Sequence, residues 1–310
     1  MIKKFIIQTC LFFIPVIIGY AIIENTTRNL PLTPKIKSDF YKKYQDDIEI
    51  LVLGASQNRD AINPEFLSQK ALNIAFPDQD YYVSSKLLEH LGPTLPSLKT
   101  VIIPISYGHF ETAPNQKETW KNSMYRYYFG ATVSDKFTYF KDNLLYISYP
   151  EYYAAKTNEY KRGISYIDCN EYGYNRDVST SLFYKFAYDS LSISEQPVHI
   201  APKEPHPEFI PENIEKLRAM LDFCVQQNYT IILVETPTTK RFKELRIPEV
   251  LQRRDSILSV ITSDYKVRYI SSDSRDSYYI KDHRDNNHLS PQGAEKFTKR
   301  LNTFLEESSE

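Results

Sequence analysis

Glycine is scarce in this sequence, with 8 residues among 310. None of them belongs to a G-x-G-x-x-G or G-x-x-x-x-G-K-[ST] motif, the two glycine-rich loops that commonly cradle phosphate groups. The chain therefore lacks the loops of the common nucleotide-dependent enzymes, and we expect it to use no cofactor.

An excess of either charge is also absent. The chain has 38 Lys and Arg residues against 39 Asp and Glu residues, which leaves a formal net charge of −1. Because nucleic-acid-binding domains carry a basic surface, this balance argues against a nucleic-acid partner. Hydrophobic residues make up 42% of the chain and charged residues 25%, as in a folded domain rather than a disordered or fibrous chain.

Cysteine is rare as well, and the three residues present do not demand disulfides. Cys10 lies in the apolar N-terminal run. Cys224 shares an apolar helical face with Leu217 and Leu221, so we expect it to be a small buried residue. An oxidising compartment would permit a bond between Cys169 and Cys224, but nothing in the sequence brings them together, and we do not predict it.

The N-terminal segment 1–24 is predicted to be a membrane anchor or a signal segment. Phe5 to Ile23 is a run of 19 residues without a charge, close to the roughly 20 that span a bilayer. Lys3 and Lys4 precede it, which predicts a cytoplasmic N-terminus and an extracytoplasmic domain, periplasmic or at the cell surface. Small residues at 19 and 21 also fit signal-peptidase cleavage and secretion. We favour an uncleaved anchor because the apolar run continues past that site.

The rest of the chain predicts an α/β fold, a three-layer α/β/α sandwich with a mainly parallel, flavodoxin-like sheet over residues 44–310. Residues 25–43 are polar, contain two prolines and are interpreted as a tether. Short apolar runs then alternate with helical patterns, which is typical of a parallel sheet covered on both faces. The predicted strands are Ile48–Leu53, Ala71–Phe76, Thr100–Ile105, Thr230–Val234 and Tyr265–Ile270. The predicted helices are Asp80–Leu91, Pro211–Gln227, a long stretch ending at Thr262, and a terminal helix from Pro291.

The alternation of strands and helices is interrupted once, between about 107 and 211, which predicts an insertion after the third strand. This stretch contains 15 of the 25 tyrosines, the single tryptophan Trp120 and several prolines. In open α/β sheets, ligands bind at the carboxyl end of the strands, so a tyrosine-rich cap there would offer a sugar-binding surface. The alternative is that these tyrosines only pack the cap.

Ser56 follows the first predicted strand, two residues after Gly54. A hydroxyl at this point is exposed at the binding edge of the sheet, and the Ser56 N–H near a helix start is able to face an oxyanion. A Gly-x-Ser segment taken alone is more often a turn or a helix cap than a nucleophile.

Asp285 and His288 precede the terminal helix, in a segment that continues with Ser290 and Pro291. Ser290 is a natural N-cap and Pro291 a preferred first helical residue, so His288 lies on a well-defined loop. An aspartate three residues before a histidine is placed to bind Nδ1–H and leave Nε2 to accept a serine proton. Taken alone, Asp285 is more simply explained as a turn cap and His288 as a packed residue.

Together, the two segments resemble the SGNH (GDSL-like) hydrolase superfamily, in which a serine after the first strand pairs with Asp-x-x-His before the last helix. The resemblance covers about Ile48 to Leu305, apart from the insertion. It implies that Ser56 is the nucleophile, His288 the general base and Asp285 the carboxylate that orients it. Gly54-Ala55-Ser56 replaces the usual Gly-Asp-Ser, as in membrane-anchored branches that act in teichoic-acid D-alanylation and alginate acetylation.

The chain departs from the family at the oxyanion donors. The second block begins at Asn73 and has Asp78 in place of its glycine, a change that preserves a backbone N–H. The third block falls on Ser106 to His109 and lacks the oxyanion asparagine. The resemblance therefore implies oxyanion donors among Ser56, Asp78, Tyr107 and Gly108. Loss of one such donor typically costs about 3 kcal/mol of transition-state stabilisation unless another group replaces it.

The resemblance implies a serine-dependent ester hydrolase or O-acyltransferase that acts outside the cytoplasm. The expected substrate is an acylated glycan of the cell envelope or another ester, with acetyl as the expected acyl group. The expected partners are the membrane, through the N-terminal helix, and a membrane protein that donates acyl groups.

Two other functions stay open at the level of sequence. An inactive, membrane-anchored glycan-binding or assembly module would explain the missing asparagine. A metal hydrolase would use His283, Asp285 and His288, although no H-E-x-x-H or similar ligand spacing supports it, and we predict no metal site. Asp282 is a second choice for the triad carboxylate, less favoured because it lies six residues from His288.

Overall fold

The computed structural model describes residues 1–114, 121–135, 138–163, 169–271 and 278–307. Within them the chain forms a five-stranded parallel sheet with strand order β2-β1-β3-β4-β5. The strands are β1 Ile50–Val52, β2 Ala71–Asn73, β3 Thr100–Pro104, β4 Thr230–Val234 and β5 Val267–Ile270. Helices flank the sheet, so the predicted three-layer α/β/α fold is confirmed.

The helices of the first half are α1 Ile2–Asn29, α2 Thr33–Tyr44, α3 Ser56–Ala61, α4 Tyr81–Leu91, α5 Lys121–Phe129, α6 Tyr139–Asn143 and α7 Leu145–Ser148. Those of the second half are α8 Pro150–Lys161, α9 Leu182–Lys185, α10 Ser190–Ser194, α11 Ile210–Gln226, α12 Lys240–Glu244, α13 Pro248–Asp264 and α14 Pro291–Glu306. The long helical stretch predicted up to Thr262 is therefore two helices. Proline has no N–H for an interior helical bond and favours a helix start, which explains why α13 begins at Pro248.

Both faces of the sheet are buried. On β1, Leu51 belongs to the hydrophobic cluster on one face, while Ile50 and Val52 belong to the cluster on the other. The same alternation continues through β3 and β4, because successive strand side chains point to opposite faces. The first cluster includes apolar residues of α2, α4, α11 and α13, and the second includes those of α14.

Helix α1 is long and apolar enough to cross a membrane. Its last turn is held by the domain, because the buried Glu24 carboxylate accepts hydrogen bonds from the N–H groups of Leu145 and Tyr146 at 2.9 and 3.0 Å. Arg28 pairs with Glu24 at 2.8 Å, and its carbonyl accepts from the Tyr128 hydroxyl at 3.3 Å.

The interpretation of residues 25–43 as a tether is wrong. They form the end of α1 and most of α2, and Leu30, Leu32 and Phe40 are buried in the core. The prolines that suggested a linker are compatible with this structure because Pro34 lies in the first turn of α2, where no intrahelical N–H bond is lost.

The three cysteines, all within the described residues, form no disulfide with one another, and Cys224 is buried as predicted. Cys224 is buried in α11, and burial raises the pKa of its thiol to about 12. Cys169 Sγ lies 3.7 Å from Thr33 Oγ1, and no disulfide joins Cys169 to Cys224.

Candidate active site

Ser56 is the first residue of α3 and follows the end of β1 through a tight turn. Gly54 adopts φ +117°, and a Cβ there would lie 2.5 Å from Pro104 Cγ, so this turn requires glycine. Ala55 is the N-cap residue. The Ser56 N–H is thus among the first amide groups of the helix, which have no intrahelical acceptor.

His288 lies on the loop that leads into α14, and the carboxylate of Asp285 shapes this loop. Asp285 Oδ1 accepts hydrogen bonds from the backbone N–H groups of Asn287 and His288, both at 2.9 Å. Ser290 caps α14 by accepting from the Gly293 N–H at 3.3 Å. A local turn and a helix cap therefore fix the imidazole on both sides.

Ser56, His288 and Asp285 form a continuous hydrogen-bonded chain. His288 Nε2 lies 2.8 Å from Ser56 Oγ, and His288 Nδ1 lies 3.0 Å from both carboxylate oxygens of Asp285. Because an ionised carboxylate only accepts, Nδ1 carries the proton and Nε2 of the neutral ring accepts from the serine hydroxyl. The structure thus brings together the three residues predicted as the triad, with His288 between Ser56 and Asp285.

The electrostatics of the pair suit a general base. Burial acts to lower the pKa of His288, but the hydrogen bond and charge of Asp285 outweigh it, so the pKa of His288 is raised above 6.5. Burial acts to raise the pKa of Asp285, but the hydrogen bond from His288 and the two backbone donors lower it below 3.8. Asp285 is therefore ionised at neutral pH and stabilises a protonated His288.

Other contacts support the triad from the side of α3. Gln57 Nε2 donates to the carbonyl of Asn287 at 3.3 Å and joins the serine helix to the histidine loop. Behind the site, Arg59 donates two hydrogen bonds to the buried Asp60 carboxylate at 2.7 and 2.8 Å. The charge of Asp60 also favours the protonated form of His288.

The triad opens into a cavity of about 790 Å³. The four residues predicted as oxyanion donors, Ser56, Asp78, Tyr107 and Gly108, all line it. The carboxyl ends of β1, β2 and β3 supply these residues, as expected for the ligand-binding edge of a parallel sheet.

The predicted oxyanion residues differ in the contacts that they make with the rest of the fold. Asp78 lines the cavity from a turn with φ +56°, and its exposed side chain pairs with Lys121 at 3.6 Å. The Tyr107 hydroxyl accepts from the Ile247 N–H at 2.9 Å, a contact with the residue before α13. Gly108 lies against Ala201, whose carbonyl oxygen would be 2.2 Å from a Cβ.

The insertion lines the cavity, but not with a surface of tyrosines. Among the described residues, the insertion contributes a single tyrosine, Tyr107, together with Gly108, His109, Thr112, Ala113, His199, Ile200, Ala201 and Lys203. Tyr125, Tyr128 and Tyr153 are instead buried in the core, as in the packing alternative. Trp120 lies outside the described residues.

Asp282 and His283, the residues of the alternative site assignments, both make contacts that stabilise the fold. Asp282 accepts from the Tyr279 N–H at 2.8 Å and caps a turn. His283 is buried beside Tyr278, and burial lowers its pKa to about 4. In the part of the chain that the structure describes, no group of three or more His, Cys, Asp or Glu residues is arranged to hold a metal ion.

The sequence did not identify several residues around the cavity, of which His109 is the most distinctive. Its Nδ1 accepts from the Ser106 N–H at 2.9 Å, and burial lowers its pKa to about 4. The sequence placed it after the third strand and at the end of the third block, without assigning it a role. Gln57 is adjacent to Ser56 but gave no signal of its own, and His199 and Lys203 gave none because they reach the site through the tertiary fold.

Comparisons of the sequence with protein-family models and with curated proteins find no match.

Proposed function

We propose that this protein is a serine-dependent acyl-transfer enzyme of SGNH type, either an ester hydrolase or an O-acyltransferase. The observation that carries the proposal is the contact of 2.8 Å between Ser56 Oγ and His288 Nε2, with Asp285 on the opposite ring nitrogen. The same arrangement of serine, neutral imidazole and carboxylate activates a hydroxyl as a nucleophile on unrelated folds.

In the proposed reaction, His288 Nε2 takes the proton of Ser56 as Oγ attacks the carbonyl carbon of an ester. Backbone N–H groups at Ser56 and Asp78 stabilise the oxyanion. Collapse of this intermediate breaks the ester C–O bond, and the protonated His288 gives its proton to the leaving alkoxide. A second hydroxyl compound then attacks the acyl-serine while His288 again accepts the proton, and Ser56 is regenerated.

The compound that takes the acyl group from Ser56 decides between the two activities. Water as the acceptor gives an esterase, and a sugar hydroxyl gives an O-acyltransferase. We propose a cell-envelope glycan as the large substrate and acetyl as the acyl group, with a membrane protein as acyl donor in the transferase case. The size of the cavity and the position of α1 are compatible with this proposal, and the identity of the substrate follows from the SGNH resemblance.

We place the domain outside the cytoplasm, with α1 as its anchor. Lys3 and Lys4 precede the apolar run of α1, and such residues stay on the cytoplasmic side. The contacts of Glu24 with the N–H groups of Leu145 and Tyr146 would then hold the domain close to the outer surface of the bilayer.

A serine-reactive fluorophosphonate tests the proposal directly on the full chain in detergent micelles. We expect the wild type to be labelled, Ser56→Ala to be unlabelled and His288→Ala to react at least a hundredfold more slowly. The matched control is Ser68→Ala, because the Ser68 hydroxyl is exposed and bonds only to Asn302 among the described residues. A folded wild type that is not labelled would overturn the proposal and favour the glycan-binding module.

A further inference from the structure

The third block of this chain lacks the asparagine that would donate to an oxyanion, and a histidine occupies the same wall of the cavity. This inference rests on the proposed function. β1 and β3 are paired with Val52 opposite Ile102, and Gly54 then contacts Pro104. The chain segments that lead to Ser56 and His109 therefore leave the sheet side by side.

The tautomer of His109 is fixed by its neighbour in the backbone. The Ser106 N–H donates to His109 Nδ1 at 2.9 Å, so Nδ1 is an acceptor and does not carry the proton. Burial lowers the pKa of His109 to about 4, so the ring is neutral at neutral pH. A neutral imidazole has one N–H group, and the proton of His109 is therefore on Nε2.

The orientation of the ring is fixed as well. The imidazole stacks on the ring of Tyr81, with centroids 5.3 Å apart and an interplanar angle of 28°. Tyr81 is itself held by a hydrogen bond from its hydroxyl to the Pro104 carbonyl at 2.9 Å. The stacking on one face and the hydrogen bond at Nδ1 together hold the ring in one orientation.

The remaining nitrogen, Nε2, is not used by the described part of the fold. His109 is half-buried and lines the same cavity as Ser56 and His288, and its Nε2 makes no hydrogen bond within the described part of the chain. His283, a buried neutral histidine, does not line this cavity. A fixed, unused N–H donor in the cavity wall is the kind of group that stabilises developing negative charge without rearrangement.

We propose that the Nε2–H of His109 donates a hydrogen bond to the carbonyl oxygen of the ester as it becomes an oxyanion. His109 thereby supplies the side-chain donor that the third block otherwise lacks. It works beside the backbone N–H groups of Ser56 and Asp78. As a neutral donor it adds no positive charge that would oppose protonation of His288 during the reaction.

The test compares His109→Phe with His109→Gln in the full chain, using p-nitrophenyl acetate as the ester. Phenylalanine keeps the stacking on Tyr81 but removes the donor, so we expect kcat to fall about 10²- to 10³-fold with KM changed less than about threefold. Glutamine keeps an N–H donor, so the kcat of His109→Gln should be at least about tenfold higher than that of His109→Phe. His283→Gln is the matched control, a buried neutral histidine outside the cavity, with kcat within about threefold of wild type.

Three outcomes separate this inference from the proposed function. A kcat for a folded His109→Phe that equals that of the wild type, while Ser56→Ala is inactive, would overturn the role of His109 alone. A wild type no faster than Ser56→Ala would overturn the proposed function and this role with it. A large loss in His109→Phe with partial recovery in His109→Gln supports the role.

A second measurement avoids the risk that the variants do not fold. In wild-type protein with ¹⁵N-labelled histidine, the Nε2–H proton of His109 should shift downfield when a phosphonate is bound to Ser56, because the phosphoryl oxygen then stands where the oxyanion forms. A resonance that does not move on adduct formation would contradict the proposed contact.

Discussion

His288 Nε2 lies 2.8 Å from Ser56 Oγ, although 232 positions separate the two residues in the chain. Ser56 follows the first parallel strand, and His288 lies on the loop before the last helix. Because all five strands run in the same direction, both residues reach the same edge of the sheet. Gln57 reinforces this approach by donating to the Asn287 carbonyl at 3.3 Å.

Asp285→Asn is expected to lower kcat about 10²- to 10⁴-fold, because an amide at this position stabilises the wrong tautomer and not the protonated imidazole. Ester hydrolysis by the full chain measures the effect. Asp282→Asn provides the comparison, since its carboxylate caps a turn at Tyr279. We expect it to lower thermal stability with little change in kcat, and equal loss of kcat in both variants would contradict the assignment of Asp285.

The rate of phosphonate labelling should rise with pH and level off above the pKa of His288. Only the neutral ring accepts the serine proton, and the pKa of His288 lies above 6.5. The midpoint of the profile should therefore lie above 6.5 in the wild type. Asp285→Asn removes the charge that raises this pKa, so the midpoint of its profile should be lower. A midpoint equal to that of the wild type would contradict the pairing of Asp285 with His288.

Glu24→Ala is expected to loosen the junction between α1 and the domain. The change leaves the Leu145 and Tyr146 N–H groups without their acceptor and removes the carboxylate that pairs with Arg28. We expect a loss of about 2–4 kcal/mol in local stability. Hydrogen exchange at the Leu145 and Tyr146 amides, measured in detergent micelles, should accelerate at least tenfold. Glu295→Ala removes an exposed pair with Lys299 and should leave these amides unchanged.

Acid should destabilise the fold between about pH 6.5 and 4 through His109 and His283. The folded pKa of each is lowered to about 4 by burial, so in this range the unfolded chain binds more protons than the folded chain. The free energy of unfolding therefore falls as pH falls, by at most about 1.4 kcal/mol per pH unit for each residue. Denaturant titrations at several pH values should give a shallower slope for His283→Gln. An unchanged slope would show that His283 does not contribute.

Much of the sheet could be predicted from local patterns. Short apolar runs rich in β-branched residues, such as the one containing β4, are typical of a buried strand, and the helical spacing of Leu87, Leu88 and Leu91 predicted a buried face. The positions of Ser56, Asp285 and His288 at the ends of these elements followed from the same alternation.

Residues 25–43 show where local patterns fail. Their polar composition suggested a solvated tether, yet α2 packs through a few apolar side chains, including Phe40 and Tyr41, which become significant only against the domain. The tyrosines of the insertion were ambiguous for the same reason, because an amphipathic ring suits both a core and a binding surface.

By itself, the sequence determined the alternation of strands and helices, the apolar N-terminal run and the local turn in which Asp285 holds His288. These features depend on side chains close together in the chain. Only the tertiary structure decided that Ser56 meets Nε2 of that histidine and that His109 lines the same cavity while it stacks on Tyr81. Those arrangements depend on contacts between strands, loops and helices distant in sequence, and on burial that no single segment contains.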